Sequence, residues 1–190
     1  HGLGGGGLGV GVDSAAEAAE MDARFGSVQE CLGTIATLAR DQHGCRFLQR
    51  RFDEDGADAV DACFPEILAD AVELMMDPFG NYLVQKLLEC CSDEQRVAVL
   101  EAVAKTADGE EDKDTLDDSK DSLKTKSRSL PFLVTVALNT HGTRAVQKLV
   151  ETLRGPEQIA LAVAALKPGV VTLIKDLNGN HVVQRCLQRL

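Results

Sequence analysis

The sequence predicts an all-α fold, an α-solenoid of about four three-helix repeats with the last one incomplete. Three observations predict it. Four ten-residue segments, at 41–50, 77–86, 139–148 and 176–185, align without gaps, each with Gly at its fourth position and Gln at its ninth. The glycines, Gly44, Gly80, Gly142 and Gly179, are spaced 36, 62 and 37 residues apart, so one interval carries about 26 surplus residues over a steady period. Apolar residues inside the segments recur at helical spacing, and no alternating stretch of useful length competes with them.

Residues 1–28 are Gly- and Ala-rich, with neither the basic start nor the apolar stretch of a secretory signal, and are expected to be unstructured. The chain begins with His1, not Met, which suggests a fragment. The first repeat occupies 29–67 and the second 68–104. An insertion at 105–129 follows, in which Asp108, Glu110, Glu111, Asp112, Asp114, Asp117, Asp118 and Asp121 leave only Leu116 and Leu123 able to pack. It cannot bury enough surface to offset its ordering entropy, so a disordered loop is expected. A phosphorylated segment using Ser119, Ser122, Thr125 and Ser127 is the functional alternative. The third repeat runs over 130–166 and the incomplete fourth over 167–190.

Within each repeat, Asp41, Asp77, Asn139 or Asp176 stands where a side chain can accept hydrogen bonds from the first helical turn. Pro78 follows Asp77 at the position where proline costs a helix nothing. Glycine at the third helical position costs up to about 1 kcal/mol relative to Ala, and its fourfold use suggests close approach of a neighbouring backbone. At 100° per residue, Leu83, Val84, Leu87 and Leu88 form one core stripe, and Val182, Val183, Cys186 and Leu187 repeat it. Arg51 breaks the stripe in the first repeat. Further helical patterns lie at 69–76 and 134–138 before these central helices, and at 97–103 and 159–166 after them. Ser92 and Gln95 have capping-box spacing at the start of one of the later helices. The last repeat should expose apolar surface that a following repeat would cover.

Composition restricts the function classes. The longest uninterrupted apolar run, 159–166, is far short of the roughly 20 residues of a membrane span. Six cysteines, Cys31, Cys45, Cys63, Cys90, Cys91 and Cys186, include no Cys-x-x-Cys pair and read as reduced, mostly buried thiols, with no metal or cofactor implied. A net charge of −10 argues at first against nucleic acid. The charge is unevenly spread, however. Residues 28–104 hold 15 acidic against 6 basic groups, whereas residues 130–190 hold 3 against 7. Net charge does not veto an RNA ligand if the basic groups share a face.

The face opposite the core stripe is patterned. Four of nine glutamines hold one phase, Gln49, Gln85, Gln147 and Gln184. Three positions before each lies a flat side chain able to stack on a base: Arg46, Tyr82, Arg144 or His181. One helical turn before the Gln lies a short side chain, Cys45, Asn81, Thr143 or Asn180, placed so that both can reach one base edge. Immediately after the Gln comes a cation, Arg50, Lys86, Lys148 or Arg185.

The strings Gly-Asn-Tyr-Leu-Val-Gln-Lys, Gly-Thr-Arg-Ala-Val-Gln-Lys and Gly-Asn-His-Val-Val-Gln-Arg closely resemble the Pumilio (PUF) family of RNA-binding repeat proteins, over roughly 29–104 and 130–190. The resemblance implies a curved, right-handed solenoid whose concave surface binds single-stranded RNA antiparallel to the repeats. It also implies cytoplasmic regulation of messenger RNA through 3′ UTR elements, with protein effectors of decay or translational repression as further partners. No small-molecule substrate, membrane partner or cofactor is implied, and no enzymatic activity. Under the family's base code, Cys45 with Gln49 resembles an adenine reader, and Asn81 with Gln85 and Asn180 with Gln184 resemble uracil readers. Thr143 with Gln147 is nearest the small-residue adenine readers. The implied RNA is 5′-U-(A)-U-A-3′, the second base being the least determined. The family normally has eight repeats, and this chain has four.

Two other classes fit parts of the pattern. A protein-binding solenoid of the HEAT or armadillo kind would share the helices, but does not call for a flat residue three positions before Gln in every unit. An enzyme would need catalytic groups, and His43 and His141, each just before a repeat glycine, read as first-turn helix residues instead. The Cys90-Cys91 pair reads as helix packing, not redox chemistry.

Overall fold

A computed structural model describes residues 21, 23–107 and 129–190. The remainder of the Gly-rich start and of the acidic insertion, both expected to be disordered, lies outside the described residues. The chain divides into two compact units, His1–Ser92 and Asp93–Leu190. The described residues are helical, with a single antiparallel bridge between Thr106 and Pro131 in place of any strand.

The first unit contains a 3-10 turn at Val28–Cys31 and helices α1 (Ile35–Ala39), α2 (Gln42–Asp55), α3 (Ala57–Ala69), α4 (Ala71–Met76) and α5 (Gly80–Cys90). The second contains α6 (Asp93–Ala104), α7 (Phe132–Leu138), α8 (Gly142–Thr152), α9 (Gly155–Leu166), a 3-10 turn at Lys167–Gly169, α10 (Val170–Lys175) and α11 (Gly179–Arg189). Each repeat is thus a short helix, a central helix and, in the first three, a third helix. The boundary between units separates α6 from the other two helices of its repeat.

The predicted caps fall into place locally. Asp41 Oδ1 accepts from the amides of His43 (3.0 Å) and Gly44 (2.8 Å), and Asp77 Oδ1 from Phe79 (2.8 Å) and Gly80 (2.7 Å). Asn139 serves His141 and Gly142, and Asp176 serves Asn178 and Gly179, in the same way. The expected helix start is met only in α2, where Gly44 is the third residue. In the other three repeats regular helix begins at the glycine itself. There the capped turn is tightened by bonds three residues apart: Tyr82 N to Phe79 O (3.0 Å), Arg144 N to His141 O (3.2 Å) and His181 N to Asn178 O (3.2 Å).

Close backbone approach explains the repeat glycine. A Cβ on Gly80 would stand 2.9 Å from the carbonyl oxygen of Leu74, and one on Gly179 would stand 2.8 Å from Cα of Leu173. Gly44 and Gly142 meet the carbonyls of Leu38 and Val136 in the same manner. The short helix of each repeat therefore lies directly on the start of its central helix, and the propensity cost of glycine is offset by this packing.

The core stripe is buried as its spacing requires. Leu83, Val84, Leu87 and Leu88 have almost no exposure, and they join Phe47, Leu48, Ile67, Leu74 and Met75 in the core of the first unit. Arg51, which interrupts the stripe in α2, is held by Asp55 through two bonds (2.7 and 2.8 Å) and by Glu54 (2.8 Å). Helix α1 is capped from a distance: Glu66 of α3 accepts from the amides of Gly33 (2.6 Å) and Ile35 (3.0 Å). Phe25, inside the stretch read as unstructured, packs against Phe47 with ring centroids 6.2 Å apart.

All six cysteines are free, and burial pushes the Cys63 thiol up to about 12. By length and composition alone, Gly155–Lys175 would pass as a membrane span, with 21 residues and a mean hydropathy of 1.5, which the run of 159–166 did not foretell. The stretch is interrupted at Lys167–Gly169 around Pro168, and α9, with Ala162, Ala165 and Leu166 buried, packs against α6 and α7 as the third helix of its repeat.

Candidate nucleic-acid interface

The four central helices present the same five-residue arrangement, because capped turn, glycine and core stripe fix the phase of each helix in the same way. Arg46, Tyr82, Arg144 and His181 are exposed in every case, Tyr82 to 53%. Gln49, Gln85 and Gln147 are half-buried, and Gln184 is exposed.

The short residues depart from the predicted outward face. Cys45, Asn81 and Thr143 are buried, and Asn180 is half-buried. Each sits beneath its own glutamine and holds it. Gln49 Nε2 donates to Cys45 Sγ (3.2 Å), Gln85 Nε2 to Asn81 Oδ1 (3.0 Å), Gln147 Nε2 to Thr143 Oγ1 (3.3 Å) and Gln184 Nε2 to Asn180 Oδ1 (3.0 Å). The i,i+4 spacing that lets the two share a base edge also lets them bond to each other. In Gln49 and Gln147 the same Nε2 also donates to the backbone carbonyl of Cys45 (3.4 Å) and Thr143 (3.2 Å), so these two amides are held at two points.

Two kinds of tether exist. Asn81 turns its amide back into its own capped turn, donating to the carbonyls of Asp77 (2.8 Å) and Pro78 (3.0 Å), and Asn180 does so with Asp176 and Leu177 (3.2 Å each). Cys45 and Thr143 instead donate to the following repeat. The Cys45 thiol reaches the carbonyl of Phe79 (3.2 Å), and the Thr143 hydroxyl reaches that of Asn178 (3.0 Å), in each case the residue before the next repeat's glycine. Burial raises the Cys45 pKa above its ordinary value, so this group stays a protonated donor at neutral pH. Thr143, whose pairing was least determined by its sequence, thus shares the geometry of Cys45.

The cations after the glutamines are not a free basic row. Lys86 is paired with Asp53 of the preceding central helix, and Arg185 Nε with Glu151 Oε1 (3.1 Å) of its preceding helix. Lys148 Nζ lies 3.6 Å from Glu151 Oε2, and the Arg50 guanidinium stands over Phe47, 5.9 Å from its ring centroid. The hydrogen bond from Lys86 to Asp53 raises the lysine pKa, keeping it charged. Sequence reasoning missed these pairings, although their signal was present. An acid stands four residues after the glutamine in three repeats, at Asp53, Glu89 and Glu151.

The profile of the Pumilio-family RNA binding repeat matches four stretches of the chain, 35–68, 70–104, 133–163 and 169–190. The chain belongs to the Pumilio family. Pumilio homolog 12 of Arabidopsis thaliana is 46% identical over 167 residues, covering 88% of this chain and 24% of that protein. Putative pumilio homolog 7, chloroplastic, from the same plant, is 49% identical over 158 residues, covering 83% and 21%. The chain therefore spans about a quarter of the length of the curated relatives it matches. Among solved structures, the Puf4 RNA binding domain bound to the HO endonuclease RNA 3′ UTR recognition sequence superposes with a TM-score of 0.68 at 44% identity, over 84% of this chain and 41% of that one. The RNA-binding domain of yeast Puf5p bound to SMX2 RNA gives 0.66 at 31%, over 83% and 38%. These solved structures are helical Pumilio-type RNA-binding domains with RNA bound.

Proposed function

We propose that this Pumilio-family chain binds single-stranded RNA of 3′ UTR type through its four central helices, one base per repeat, and so takes part in post-transcriptional regulation of messenger RNA. The observation that carries the reading is the fourfold tether: a glutamine held by the short residue one turn before it, beside an exposed flat side chain. The flat residue supplies a stacking surface for a base, worth about 1–3 kcal/mol where measured by alanine substitution. The tethered Gln then presents its amide group in a fixed orientation to the base edge. Asn81 and Asn180 act by orienting Gln85 and Gln184, and the two repeats read uracil. Cys45 and Thr143, alike in donating forward to the next repeat, mark Gln49 and Gln147 as adenine readers. The proposed RNA is 5′-UAUA-3′, running antiparallel to the repeats.

Because Lys86 and Arg185 are paired with carboxylates, base contacts should contribute more to discrimination than charge does. The test is a titration of the purified 190-residue chain, at one stated salt concentration, with a short RNA containing UAUA and with the same RNA carrying cytosine for both uracils. A clear preference for UAUA is expected. Equal binding that weakens steeply with salt would reduce the interaction to phosphate attraction and overturn the base assignment.

A further inference from the structure

The pairs Lys86 with Asp53 and Arg185 with Glu151 occupy equivalent places in two separate units. In both, the acid is the fourth residue after one reader glutamine and the cation is the first residue after the next reader. Each pair therefore ties one base-reading helix to the following one, α2 to α5 and α8 to α11, next to the glutamines themselves. From this geometry we infer that Asp53 and Glu151 are positioning residues which set the offset between consecutive base readers, a specificity role that rests on the one-base-per-repeat reading above.

Several features support a spacing role over simple charge. The two cations follow Gln85 and Gln184 directly, so fixing the cation fixes the backbone that carries the reader. The second anchor of each unit lies at the other end of the tether: Cys45 bonds the Phe79 carbonyl and Thr143 the Asn178 carbonyl, again from the earlier reading helix to the start of the later one. Within each unit the two central helices are thus pinned at two points, one before the later reader in sequence and one after it. In the second unit Arg189 adds a third, donating to the Glu151 carbonyl at 2.8 Å. Asp53 is the cleaner of the two acids to test, because its side chain is 62% exposed and Glu151 also approaches Lys148.

The experiment measures binding of the whole chain to UAUA and to UAUCA, in which one cytosine separates the bases facing Gln85 and Gln49. Wild-type protein is expected to prefer the unspaced RNA. Asp53→Asn should narrow that preference about two- to fivefold, the range an exposed ion pair is worth. Asp53→Glu, which keeps the carboxylate, should retain it, and the double change Asp53→Lys with Lys86→Asp should restore it. A purely structural role would weaken both RNAs alike and leave their ratio untouched, which would overturn the inference. So would a stronger grip of Asp53→Asn on both RNAs with a steeper salt dependence, because the acid would then merely screen a phosphate-binding lysine. Loss of base preference in the wild type itself would instead bring down the one-base-per-repeat reading together with the inference.

Discussion

The third and fourth repeats carry closely similar sequences, yet one is a finished structure and the other is half a core. Val150 at the end of α8 is 2% exposed, and its counterpart Leu187 on α11 is 83% exposed. Val134 and Ala137 on α7 are fully buried, whereas the equivalent Val171 and Ile174 on α10 are 61% and 57% exposed. The apolar groove of about 400 Å³ lined by Val170, Leu173, Val183, Cys186 and Leu187 lies on this uncovered side. In the third repeat the same side is covered by the fourth: a Cβ on Gly169 would collide with the Val134 side chain, and α11 packs along α8. The difference teaches that a repeat supplies its own core stripe but not its own burial. Nearest-neighbour stacking supplies that, as expected of solenoids.

The comparison can be broken most directly by truncating one core-stripe leucine on each helix. Leu149→Ala, on the covered helix, should cost about 2–5 kcal/mol in denaturant unfolding, because it opens a cavity in packed surroundings. Leu187→Ala, on the uncovered helix, should stay within about 0.5 kcal/mol. Equal losses would mean that the exposed stripe is covered in solution.

The readout row should be indifferent to cover. Tyr82→Ala should lose about 1–3 kcal/mol of RNA affinity, measured by titration, with unchanged helix content. Unchanged binding with the fold intact would remove stacking from the mechanism. The capping turns sharpen the contrast at the smallest scale. Asn139→Ala and Asp176→Ala should each cost about 1 kcal/mol in thermal or denaturant unfolding, because both caps act within one turn. A much larger loss at Asn139 would show that cap strength, too, depends on the neighbouring repeat.

Much of this arrangement was legible in the sequence because its causes are local. A cap three residues before the glycine and a stripe at helical spacing each need only a few neighbouring side chains, and the period near 37 residues is visible as soon as those short segments are aligned. The stripe at Leu83, Val84, Leu87 and Leu88 and the exposed positions of Arg46, Tyr82, Arg144 and His181 follow from the same 100° arithmetic. The helix start at Gly80, Gly142 and Gly179 was displaced because the capped turn closes with tighter bonds, a local effect that residue type alone did not separate from an ordinary first turn.

The sequence by itself determined that this protein is a set of helical repeats, which face of each central helix is apolar, and that a short residue, a flat residue, a glutamine and a cation recur in phase. Only the tertiary structure decided that Cys45, Asn81 and Thr143 are buried, that each glutamine is tethered, that Cys45 and Thr143 act alike, and that Lys86 and Arg185 belong to the acids of the preceding repeat. It also decided that Glu66 caps a helix some thirty residues earlier in the chain. The physical reason is one of range. Periodicity and capping are settled within a turn or two of helix, whereas burial and inter-repeat bonding depend on which groups a neighbouring repeat brings into reach.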